Sequence, residues 1–91
     1  MDKVLEKAKE LRAAIEETSE YKEYIKNKEL LENSEDVIAL KHNIANLKAQ
    51  GKIEEAKNLE KIYNSHPLVN NFEMSKEALC DLLKTIQNII Q

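Results

Sequence analysis

Glycine and proline are nearly missing from this 91-residue chain, which has one of each, Gly51 and Pro67. Tight turns draw on both residues, so compact all-β and α/β folds are excluded. Tryptophan is absent and only four aromatics occur, which leaves no stacking platform for single-stranded nucleic acid. A single cysteine, Cys80, cannot close an internal disulfide, and nothing here demands an oxidising compartment. No apolar run approaches the roughly 20 residues needed to cross a bilayer. The first ten residues, "MDKVLEKAKE", alternate charges and do not read as a signal peptide. A cytoplasmic location and no membrane partner are expected.

Good helix formers fill the space these absences leave. Ala, Leu, Ile, Glu and Lys dominate, and the expectation is an all-α fold in one domain over residues 1–91. The net charge is −3, with lysines scattered among acids rather than gathered in a stripe. That is the pattern of solvated helix faces, and it argues against direct nucleic-acid binding.

Apolar spacing places the helices. Val4, Ala8, Leu11 and Ile15 lie on one face of a first helix running from about Asp2 to Glu17. The stripe is narrow and partly alanine, so this helix needs a neighbour. Thr18 or Ser19 caps the next helix, with a kink preferred at Thr18. Its face follows Tyr21, Tyr24 or Ile25, Lys28 and Leu31, with Leu30 beside it. Asn33 or Ser34 caps a third segment, whose first turn carries Glu35 and Asp36 at the positive end of the helix dipole. Val37, Leu40, Ile44 and Leu47 form its stripe. Past Gly51 the apolar set is Ile53, Ala56, Leu59 and Ile62 or Tyr63, out of phase with what precedes it. The chain either bends or turns at the glycine.

The last segment, from His66 to Ile90, carries the most apolar surface. Val69, Phe72, Leu79, Leu83, Ile86 and Ile90 follow helical steps, interrupted by Lys76, and Leu68, Leu82 and Ile89 widen the stripe. From Ala78 onward only Asp81 and Lys84 are charged. We therefore expect a seam of Val69, Phe72, Leu79, Leu82, Leu83, Ile86 and Ile90 that serves as core on one side and as subunit interface on the other. The interface is expected beyond Lys76. The architecture predicted is an antiparallel helical bundle or long helical hairpin of about four to five helices, with a long C-terminal helix, in an oligomer.

No constellation of catalytic residues emerges. "SHP" at residues 65–67 reads as a helix start, with Pro67 in the first turn and Ser65 or His66 as the cap. Cys80 stands 14 residues further along the helix, roughly 20 Å from His66, which forbids a dyad within one chain. Cys80 beside Leu79 reads as a buried small hydrophobe, and His42 as solvent-facing. Neighbouring carboxylates such as Glu16 and Glu17 diverge by about 100° on a helix and form no acid–base pair. The expectation is no catalytic residue, no metal, no cofactor, and no enzyme.

The segment "LRAAIEETSEYKEYIKNKELLENSEDVIALKHNIANLKAQ" (residues 11–50) resembles the front half of the YlbF/YmcA family of small bacterial helical proteins. The likeness rests on Leu11 and Ile15, on Thr18 or Ser19 with Glu20 and Tyr21, and on Leu30, Asn33 and Gln50. "HPLVNNFEMSKEALCDLLKTIQNII" (residues 66–90) is similar to the family's His-Pro-x-Val-x-x-Phe opening of a long last helix. The resemblance implies a cytoplasmic, oligomeric, non-enzymatic regulator. It implies partners too: a homodimer or higher homo-oligomer, a related family subunit, and a ribonuclease complex acting in mRNA processing, competence, biofilm formation and sporulation. Two departures stand out. The connector between Gln50 and His66 is short, and Cys80 stands alone where some members carry a cysteine-rich tail linked to iron–sulfur binding, so no cluster is expected. An RNA-binding accessory subunit is the alternative, with Lys22, Lys26, Lys41 and Lys48 as its basic face.

Overall fold

Five helices take up almost all of residues 2–90, the part of the chain that the computed structural model describes. They are α1 (Asp2–Glu16), α2 (Ser19–Glu32), α3 (Glu35–Ala49), α4 (Ile53–Ser65) and α5 (Pro67–Ile90). No strand occurs among the described residues, and the all-α expectation holds.

Each break has a local cause. Thr18 has extended backbone, and its Oγ1 accepts from the Tyr21 N–H at 3.2 Å while donating to the Ile15 carbonyl at 2.6 Å. One hydroxyl thus closes α1 and opens α2, which is the expected kink. Ser34 is the cap of α3, its Oγ accepting from the Val37 N–H at 3.3 Å. Asn33 instead terminates α2 by donating its N–H to the Glu29 carbonyl.

At Gly51 the chain turns. Its φ is +76°, in the left-handed region that side chains with a Cβ disfavour. That geometry lets the Gly51 N–H reach the Lys48 carbonyl at 3.0 Å and the Lys52 N–H reach that of Leu47 at 2.9 Å. These paired bonds satisfy carbonyls that a helix end would leave bare. An added Cβ would meet nothing within 4 Å, so the need for glycine here is conformational alone. The change of phase in the sequence marks two helices, and the choice between Ile62 and Tyr63 resolves to Tyr63.

Two antiparallel hairpins result. In α3/α4, the Lys48 ammonium meets Glu60 at 2.7 Å and Lys41 lies 6.0 Å above the Tyr63 ring centroid. In α2/α5, the Tyr24 and Phe72 rings are tilted with centroids 5.5 Å apart, and Asn27 Nδ2 donates to the Asn71 carbonyl at 3.4 Å. The core sits where the hairpins meet. Leu31, Val37 and Val69 are buried there, with Tyr63, Leu68 and Phe72 packed against them.

The molecule is a rod of 54 × 23 × 21 Å with a radius of gyration of 18.1 Å. A compact chain of this length would have about 12 Å. Its shape follows from helix length. The Tyr24–Phe72 and Asn27–Asn71 register brings Ser19 level with Ala78, and both line one groove. Beyond that level, the 12 residues Leu79–Ile90 run on without α2 for roughly 18 Å.

Candidate functional site

The residues capable of chemistry are all occupied structurally or isolated. His66 Nδ1 accepts from the Leu68 N–H at 3.1 Å, and its carbonyl accepts from the Asn70 N–H at 3.0 Å. It is the N-cap of α5, with Pro67 as the first helical residue, and Ser65 turns back to donate to the Ile62 carbonyl at 2.9 Å. His42 is exposed on α3. Cys80 is exposed too, which corrects its reading as a buried hydrophobe. One residue past Leu79 it is turned about 100° from the stripe, at a level where α2 has already ended. Among the described residues, no three His, Cys, Asp or Glu side chains cluster as metal ligands, and no buried side-chain N or O lacks a partner.

The surface depressions are open grooves. That between α2 and α5 is lined by Glu20, Glu23, Leu30, Asn71, Met74 and Ala78, among others. The Ser19 hydroxyl donates to the Glu20 carboxylate there at 3.0 Å, an exposed contact between sequence neighbours in the first turn of α2. The four lysines of the alternative reading are distributed between α2 and α3. Lys22 meets Glu17 at 3.6 Å, Lys48 meets Glu60, and Lys41 lies over Tyr63. Two of the four, Lys22 and Lys48, therefore already have an acidic neighbour, which lowers the field they could present to a phosphate backbone.

What remains is an apolar end. Of the expected seam, Val69 is buried and Phe72 half-buried in the core. Leu79, Leu82 and Ile86 are half-buried, while Leu83 is 41% and Ile90 67% exposed, with Ile89 beside them exposed. The seam thus divides near Ala78 into a part packed in the core and a part that is half-buried along Leu79, Leu82 and Ile86 and bare at Leu83 and Ile90. The bare part has a companion that the sequence reading did not include. Helix α1 buries no residue, and its stripe, starting from Val4 at 76% exposure, meets solvent through Leu11. Of the stripe, only Ile15 at its end is half-buried. The narrowness of that stripe was the available signal: a helix with so little apolar surface packs weakly on its own chain. Both segments leave the same end of the α2/α5 hairpin, α1 before Thr18 and the overhang after Ala78.

An elongated all-helical protein with an exposed apolar end and no clustered chemistry is the class these features define. The chain belongs to the YlbF/YmcA family, whose model, described as control of competence regulator ComK, YlbF/YmcA, matches residues 4–91. The resemblance carried by residues 11–50 and 66–90 therefore extends over the chain. Among curated proteins and among solved structures nothing matches. No helix among the described residues is long and apolar enough to cross a membrane.

Proposed function

We propose that this protein is a non-enzymatic regulatory adaptor of the cytoplasm, which works by binding other proteins through its open helical end. In this reading it forms a homodimer or higher homo-oligomer. It also joins a related family subunit and a ribonuclease complex, through which it influences mRNA processing, competence, biofilm formation and sporulation. The family description, with its regulator of competence, supports the regulatory part. The observation that carries the binding part is the apolar end itself. Among the described residues the buried hydrophobics are Leu31, Val37, Ala56 and Val69, while Val4, Leu5, Leu83, Ile89 and Ile90 stand in water. Covering such side chains is worth about 25 cal/mol per Å² of apolar surface, a large gain for a core this small.

Affinity capture of the tagged protein from its native lysate, with and without nuclease, tests this reading. Recovery of a sibling helical protein or a ribonuclease, unchanged by nuclease, is the expected result. Recovery that collapses when RNA is digested would replace the adaptor by an RNA-binding accessory subunit.

A further inference from the structure

We infer that the groove between α2 and α5 is a docking site for a basic amphipathic helix of another protein. This rests on the reading of the protein as a binding adaptor, and it adds a second surface on the flank of the rod, apart from the open end. The groove is a depression of about 700 Å³ between two antiparallel helices. Ser75 and Ala78 in its lining are small, which leaves the room. Leu30 of α2 and Met74 of α5 bring apolar side chains to it that are 46% and 69% exposed. The Tyr24–Phe72 and Asn27–Asn71 contacts already hold the two walls together, so the groove exists before anything binds. A groove between packed helices accepts a third helix, whose side chains seat between theirs. From Ser19 to Leu30 its α2 wall runs for roughly 17 Å, enough for about three helical turns.

Charge decides which helix fits. Glu20 and Glu23 line the groove from α2. On α5, Glu77 lies three residues past Met74 and Asp81 seven, so both stand on the groove side of that helix. Against these four carboxylates there is one ammonium, Lys26. None of the five belongs to an ion pair among the described residues, whereas Glu16, Glu17, Glu32, Glu54 and Glu60 each have a basic partner. Exposed apolar side chains flanked by unanswered negative charge complement a helix with aliphatic residues on one face and Lys or Arg beside them. A second copy of this chain does not supply one. Acids and bases balance in α1 and α3, and acids outnumber bases in α2, α4 and α5.

Fluorescence anisotropy on the full chain tests the groove with a labelled synthetic helix of about three turns, leucine on one face and lysine on the other. Its twin carries glutamate in place of every lysine. The expected result is binding of the lysine peptide, weakened by salt, and no binding of the twin. Glu23→Lys combined with Glu77→Lys should weaken binding at least about tenfold, as should Ala78→Gln, which fills the groove without changing charge. Glu54→Lys combined with Glu55→Lys makes the same change of charge on the other hairpin and should leave binding within about twofold. All these side chains are exposed, and circular dichroism checks that each variant keeps its helices. No binding of the lysine peptide, equal binding of the twin, unchanged binding by the groove variants, or equal weakening by the α4 variant would each overturn the site. Groove variants that change the self-association of the protein in sedimentation velocity, with no peptide bound, would give the groove to a second copy instead. If the peptide fails while the native lysate still yields a sibling subunit or a ribonuclease, the groove falls and the adaptor reading stands. Peptide binding with neither captured would do the reverse.

Discussion

The two ends of this rod are built from similar residues and behave oppositely. At the closed end, Leu31, Val37 and Val69 disappear beneath Tyr63, Leu68 and Phe72, because two hairpins cross there and each covers the other's stripe. At the open end, Val4, Leu83, Ile89 and Ile90 have helical spacing just as regular and remain in solvent. The difference is the number of helices present at each level, since an apolar face is core only where a second layer reaches it. In so small a protein, burial is decided by helix ends.

Substitutions can break or sharpen this contrast. The largest effect is expected at the closed end, where Leu31→Ala should cost about 2–5 kcal/mol, a major share of what a small domain has. Leu5→Ala, off the α1 seam and 58% exposed, should stay within about 0.5 kcal/mol. Urea unfolding of both measures the contrast directly, and equal losses would mean that α1 is not open at all.

Next in size come the two devices that set where helices stop. Gly51→Ala must hold a Cβ at φ +76° and should cost about 1–2 kcal/mol, while Gly51→Asn should cost less. Because nothing crowds the site, a larger loss would point to a contact that the turn does not have. His66→Ala removes the acceptor for the Leu68 N–H and should cost about 1 kcal/mol, with His66→Asn recovering much of it. If His66→Asn proved as damaging as His66→Ala, the imidazole would have a role beyond capping. Smallest of all should be Glu60→Gln, which breaks the pair with Lys48. Both side chains are partly solvated, so the loss should be about 0.5 kcal/mol and shrink further in high salt.

Much of the closed end was legible from spacing. Val37, Leu40, Ile44 and Leu47 all turn inward to some degree, as their periodicity required, and Thr18, Gly51 and His66–Pro67 mark the helix boundaries. Each of those depends on bonds between residues within five positions of one another, so neighbours in sequence suffice to specify them. Cys80 and α1 were not legible in the same way. The position of Cys80 beside Leu79 reads as buried only if a helix covers both sides of that stripe, and here Leu79 is half-buried while Cys80 is exposed. The stripe of α1 predicts a neighbour without saying that the chain itself would fail to supply one.

What the sequence by itself determined is the class of the molecule and the order of its helices. Composition left no other secondary structure, and capping and glycine chemistry act locally. The tertiary structure alone decided which stripes are paired. Its antiparallel register leaves the last 12 residues of α5 beyond the reach of α2, and α1 buries no residue. Pairing depends on how far each helix extends past its partner, and that length is defined only once the hairpins have closed.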